Sequence, residues 1–234
     1  NGTSQAVRFS AKDATFGGTV AVESKTTRTI SPIVVDNDGT WTGDFIVPNG
    51  WSDVQAMNWF VTANKTFTFA GGFKSGRGIN LYVNVGSGAT ATFNGPFSGA
   101  SDVTATFSGA GTVNVNGATS TFAGEWAAKD ITLNVKGTNP VVGADGTFRL
   151  YLANGTTTMV NVTDDCVSDG RLVAASGSTS LCNFNVLKGT CRINGAADFA
   201  VGKFLVNAGA KLVFAGGWTA GGSILPVSGS GEVE

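Results

Sequence analysis

An aromatic residue, a spacer, a glycine, a second spacer and another aromatic recur five times in this chain. The copies are Trp41-Thr42-Gly43-Asp44-Phe45, Phe69-Ala70-Gly71-Gly72-Phe73, Phe93-Asn94-Gly95-Pro96-Phe97, Phe122-Ala123-Gly124-Glu125-Trp126 and Phe214-Ala215-Gly216-Gly217-Trp218. With 16 Phe, 5 Trp, 2 Tyr and 34 Gly among 234 residues, chance supplies about 0.3 such matches. The pattern is therefore a repeat. A relaxed copy, Phe16-Gly17-Gly18-Thr19-Val20, precedes them, and the intervals from Phe16 through Trp41, Phe69 and Phe93 to Phe122 are 25, 28, 24 and 29 residues. Periods of this size belong to single coils of a solenoid.

Strands that alternate apolar and polar residues accompany each motif, as Ile79-Asn80-Leu81-Tyr82-Val83-Asn84-Val85, Val113-Asn114-Val115 and Ile131-Thr132-Leu133-Asn134-Val135 do. Their period of two is that of a strand with one buried face. Glycines such as Gly88, Gly117, Gly137 and Gly209 close these strands. A unit of about 24 residues cannot bury an apolar face alone, so it must stack on its neighbours. The expectation is an all-β, parallel β-solenoid of about nine coils over residues 1–234, a rod of about 40 Å at the 4.8 Å spacing of hydrogen-bonded strands. Degenerate rungs at Phe148, Leu172 and Ile193 fill the interval from Phe122 to Phe214. One internal column is expected to contain Phe16, Trp41, Phe69, Phe93, Phe122, Phe148, Leu172, Ile193 and Phe214, with Phe67, Ala91, Cys191 and Leu212 two positions earlier facing the same way. Phe73, Phe97, Trp126 and Trp218 are expected to turn back inward past the glycine, which marks a corner of positive φ or close coil approach. Pro48-Asn49-Gly50, with Trp51 and Trp59 nearby, reads as an insertion in one coil or an irregular turn.

Charge is sparse and balanced, 15 Lys plus Arg against 16 Asp plus Glu, which argues against nucleic acid and anionic membranes as partners. No apolar run is long enough to cross a bilayer as a helix. The chain is expected to be a segment of a larger exported protein, extracellular or at the cell surface. Histidine is absent, which excludes Ser-His-Asp and Cys-His nucleophile systems and imidazole zinc sites. No cofactor is expected.

The motifs Thr121-Phe122-Ala123-Gly124-Glu125-Trp126 and Lys211-Leu212-Val213-Phe214-Ala215-Gly216-Gly217-Trp218, the latter led by Val206-Asn207-Ala208-Gly209-Ala210, resemble the strand repeats of bacterial autotransporter passenger domains. The wider resemblance is to the right-handed parallel β-helix also used by pectate-lyase-like enzymes. The resemblance extends from about Phe16 to Trp218 and implies an exported, rod-shaped surface protein, an adhesin or a stalk.

The densest polar cluster is Thr163-Asp164-Asp165-Cys166-Val167-Ser168-Asp169-Gly170-Arg171. Asp164, Asp165 and Asp169 with Arg171 are the candidate catalytic residues, since paired carboxylates flank a glycosidic bond as acid and base or nucleophile. The competing reading, a solvated turn, is favoured by the Asp and Gly content. Pectinase-like glycosidases pair such aspartates with a histidine and an Arg-x-Lys element, and neither stands here. Asp36-Asn37-Asp38-Gly39 and the Asp164 cluster offer oxygen ligands for calcium, but neither has the spacing of a known calcium loop, and Asx turns are the plainer reading. Cys166 is expected either to bridge Cys182 or Cys191 or to remain free, and Cys191 falls in an inward slot. The leading expectation is a non-catalytic secreted or surface-displayed solenoid acting in adhesion, binding or as a stalk, with host or environmental glycans or proteins as partners. A polysaccharide-active lyase or glycoside hydrolase is the alternative, and a tailspike-like receptor-binding rod a third.

Overall fold

The structure is a computed structural model that describes residues 7–21, 30–47, 55–76, 79–151, 157–174, 182–199, 203–220 and 227–234. Among these residues every regular element is a β-strand. Each strand pairs in parallel with the equivalent strand roughly one coil later, as Gln55–Val61 does with Ile79–Val85 and Thr66–Phe69 with Thr90–Phe93. The chain is a parallel β-solenoid. Ten strands follow one another along a first face, from Val7–Phe9 to Trp218–Ala220, and ten along a second, from Ala14–Phe16 to Val227–Gly229. The count differs slightly from the nine coils expected, since Val227–Gly229 adds a strand beyond the last motif. Ten rungs extend about 43 Å at 4.8 Å each.

The third side of the coil changes partway along. In the first half it is a five-stranded sheet of Val20–Ala21, Phe45–Val47, Phe73–Ser75, Phe97–Gly99 and Thr121–Phe122. In the second half the distal end of the long strand Thr158–Ser168 pairs with Thr190–Ile193, which pairs with Lys211–Phe214 and then Glu232–Val233. Between the two halves the irregular segment 139–146 closes the coil. The Asn139 carbonyl accepts from Ser120 N at 2.9 Å and the Asn139 N–H donates to Val167 O at 2.7 Å. Pro140, Val141 and Val142 are buried there.

The inward positions form the core. On the second face Phe16, Trp41, Phe69, Phe93, Val115, Val135, Val162, Val186 and Val206 lie in register, one per coil. The first four are the expected column residues; the other five correct the expectation. Phe122 lies on the third side, opposite Gly99. Phe148 and Leu172 lie on the first face, in register with Trp126, and Ile193 and Phe214 pair in the closing ladder. The motif thus runs from second to third side at Trp41-Phe45, Phe69-Phe73 and Phe93-Phe97, but from third side to first face at Phe122-Trp126 and Phe214-Trp218. All of these column residues are buried except Phe16 and Phe214, which are partly so. Rings interlock along the axis: Phe69 stacks on Phe93 at 4.8 Å and 11° and Trp59 on Phe69 at 5.1 Å. Each such side chain contributes about 1.5–3 kcal/mol on burial. Trp218 is the exception among the second aromatics. It is 50% exposed, because it lies on the last described strand of the first face. Pro48, Asn49, Gly50 and Trp51 lie outside the described residues, whereas Trp59 is buried and joins the core.

Two glycines illustrate two different demands. A Cβ on Gly71 would lie 1.9 Å from the carbonyl oxygen of Gly43, one coil below, so the motif glycine lets coils approach. Gly88 instead has φ +69°, a left-handed turn that glycine adopts without steric cost.

Polar residues take the outward positions of the second face. Thr66, Thr90, Thr112 and Thr132 stand in register. Beside them Asn114 donates to Thr92 at 3.3 Å, Asn134 to Asn114 at 2.8 Å, Asn161 to Asn134 at 2.9 Å and Asn185 to Asn161 at 2.9 Å. The side-chain amides thereby continue the backbone ladder across five coils.

Candidate functional site

The carboxylates singled out in the sequence do not converge. The chain runs as one strand through Thr158–Ser168, and Cys166, Val167 and Ser168 separate Asp164 and Asp165 from Asp169, so that Asp165 and Asp169 are about 13 Å apart along the extended chain. Asp165 and Asp164 are exposed. Asp165 accepts from the Thr190 N–H of the next coil at 2.8 Å. Asp164 accepts from the Asp165 N–H at 3.0 Å and pairs with Lys188 at 3.6 Å, and these interactions hold its carboxyl below the usual value. Asp169 accepts from Asn194 at 2.7 Å and Asn139 at 2.8 Å, which lowers its carboxyl likewise. Arg171 reaches Asp198 at 3.3 Å. A general acid for glycoside cleavage needs a raised pKa, and Asp164 and Asp169 are shifted the other way. Their contacts brace one coil against its neighbours.

The segment Asp36–Gly39 has the same character. Asp36 pairs with Arg8 at 2.8 Å and accepts from Thr62 at 3.2 Å, and the Arg8 hydrogen bond holds its carboxyl low. Asp38 accepts from the Thr66 N–H at 2.6 Å, and Lys65 donates to Asn37 at 3.3 Å. Among the described residues no three His, Cys, Asp or Glu side chains gather to hold a metal ion.

Cys166 and Cys191 are unbridged, buried and opposite one another. The backbone of Cys182 pairs with Thr158; the Cys182 side chain lies outside what is described.

A different surface has the shape of a binding site. A cleft of about 730 Å³ opens between the first and second faces, lined by Tyr82, Asn84, Thr106, Ser108, Lys129, Asp130 and Thr157. It exists because the corner between Thr104–Ser108 and Thr112–Gly117 is Gly109-Ala110-Gly111, which has almost no side chain to fill it. On the first face Leu81, Val83 and Val85 point inward and are fully buried, which throws Tyr82 and Asn84 outward. Tyr82 stands opposite Thr106, and Asn84 opposite Ser108, which stands opposite Lys129. Phe60, one coil below and opposite Asn84, is 41% exposed and Tyr82 40%. Two residues along and one strand across place these aromatics roughly 8 Å apart. The floor and rim carry hydroxyls, an amide, one amine and one carboxyl, with no excess of either charge. The clue legible in the sequence was an aromatic in the polar phase of an alternating strand.

Comparison of the chain with protein-family models, curated proteins and solved structures finds no match. The fold class rests on the strand ladders themselves.

Proposed function

We propose that this chain is a non-catalytic, secreted or surface-displayed solenoid that binds glycans through the Tyr82 cleft, serving adhesion or display. The observation that carries this reading is the cleft. Its volume is that of small-ligand sites, about 300–1,000 Å³, and it sets the exposed ring of Tyr82 beside Asn84, Thr106 and Ser108. Sugars offer an apolar face of C–H groups and a rim of hydroxyls. An aromatic ring takes the first and short polar side chains take the second, so the chemistry of the two surfaces matches. The balance of charge at the rim suits a neutral saccharide. The autotransporter-like repeats agree with display outside the cell. The reading is non-catalytic because the carboxylates a hydrolase or lyase would use are engaged in holding coils together.

Calorimetric titration of the chain with neutral oligosaccharides, selected by glycan-array screening, tests the reading. Binding is expected, and Tyr82→Ala is expected to weaken it at least tenfold without changing the melting temperature. Absence of binding to every glycan, or undiminished binding by Tyr82→Ala, overturns it. Turnover of a polysaccharide that Asp165→Asn abolishes would establish the enzyme instead.

A further inference from the structure

We propose that Cys166 and Cys191 form a disulfide between neighbouring coils when the chain folds in contact with an oxidant of the glutathione-disulfide class. The two residues are direct partners across the parallel ladder, between Thr158–Ser168 and Thr190–Ile193. Hydrogen-bonded strands lie about 4.8 Å apart, inside the roughly 4.4–6.8 Å Cα separation that a bridge requires. Both side chains point inward, at 4% and 2% exposure. Below Cys166 the register position is Gly137, which has no side chain. A cavity of about 20 Å³ lined by both cysteines with Val135, Phe184 and Ile193 gives the sulfurs room to turn.

Cys182 is the rival partner, and the register disfavours it. Its backbone pairs with Thr158, eight residues before Cys166 on the same strand, so its own path lies on a different side of the coil from the Cys166–Cys191 step. The bridge also falls where it has most to contribute. The closing ladder stacks Cys166, Cys191 and Leu212 without an aromatic ring in that column, unlike the ring-filled first half.

The chemistry is thiol–disulfide exchange. One cysteine, as thiolate, attacks a sulfur of oxidised glutathione, forming a mixed disulfide and expelling one glutathione thiolate. The other cysteine gives its proton to water and attacks the protein sulfur of that mixed disulfide. The protein disulfide forms and the second glutathione leaves. Two cysteine thiols are oxidised and one glutathione disulfide is reduced to two thiols. The neighbouring Cys166 thiol and, after it, burial push the Cys191 thiol up, and both sulfurs are shielded from a bulky oxidant in the folded coil, so exchange belongs to the folding chain.

The test is to refold the full chain in a buffer of oxidised and reduced glutathione, then alkylate it under denaturing conditions and map the peptides. The expected result is one alkylated cysteine, Cys182, a Cys166–Cys191 linked peptide, and a melting midpoint several degrees above that of the chain refolded with reductant. Cys182→Ser should retain the linked peptide. Three alkylated cysteines, or a bridge that includes Cys182, overturns the proposal. The Cys182→Ser chain keeps both partners, so the outcome is readable without disturbing the buried pair.

Discussion

The side-chain amide of Asn161 donates to Oδ1 of Asn134 at 2.9 Å, and Asn134 in turn donates to Asn114 at 2.8 Å. Each amide in this half-buried row is donor to one coil and acceptor from the next. Replacing Asn134 by Ala removes two hydrogen bonds and leaves the Asn114 carbonyl oxygen and the Asn161 amide without those partners. A loss of about 1–3 kcal/mol is expected, read as a lower urea midpoint. Replacing Thr132, the neighbouring outward residue, by Ala should cost much less, and equal losses would show that the ladder contributes nothing specific.

The motif glycines make a sharper demand. Gly71→Ala would place a methyl carbon 1.9 Å from the Gly43 carbonyl oxygen, an overlap that only coil separation relieves. We expect a loss of about 3 kcal/mol or more, or failure to fold. Gly209 has φ +75° and open space where a side chain would go, so Gly209→Asn, which tolerates that backbone, should be nearly neutral. Thermal melts of the pair decide whether close approach, rather than turn geometry, fixes the motif.

Phe93 stacks on Phe69 at 4.8 Å, meets Phe107 edge-on at 5.4 Å and is 4% exposed. Phe93→Asp strands a charge among aromatic rings, at a cost of several kcal/mol, and should abolish a cooperative folding transition. Phe214→Asp, at a partly buried position, should retain a transition at a lower midpoint. Circular dichroism under both substitutions is the measurement. A folded Phe93→Asp with the wild-type midpoint would be incompatible with this core.

Acid should loosen the rod. Hydrogen bonds from Asn194 and Asn139 hold the Asp169 carboxyl below its ordinary 3.8, and Arg8 and Lys74 do the same for Asp36 and Asp44. A folded pKa below the unfolded one gives stability that is fully present above the unfolded value and is lost as pH falls through the folded one. Urea midpoints should therefore hold from neutrality to about pH 5 and decline below about pH 4. Asp169→Asn should flatten part of that decline, and an unchanged acid slope would show that Asp169 does not contribute to it.

Much of this architecture was legible because it is local. Alternation in Ile79–Val85 told buried Leu81 from outward Tyr82, and the spacing of Trp41, Phe69 and Phe93 matched the ladder residue for residue. What failed was the assumption that every motif occupies the same side. Phe122 repeats the letters of Phe93, but the coil after Phe93 is completed by Val115 only 22 residues on, a rung with no aromatic to announce it. The Asp164–Arg171 cluster misled for a related reason. Consecutive residues that look like one loop are divided by a strand whose Cys166 and Ser168 belong to the ladder. The cleft required knowing which corners are adjacent in space, and Gly109-Ala110-Gly111 shows its emptiness only when Tyr82 and Lys129 are stacked on either side.

The switch of the motif from one corner to another between Phe97 and Trp126 divides the chain into two cassettes of unequal kinship. Coils that begin at Trp41, Phe69 and Phe93 share one cross-section, so whole periods could be duplicated or excised there and the remaining rings would still meet. A splice that joined Phe97 directly to the strand after Phe214 would bring unlike corners together and leave rings facing carbonyls. Growth or shortening by whole coils is therefore expected to be tolerated best where neighbouring coils carry the motif at the same corner, as they do from Trp41 to Phe97.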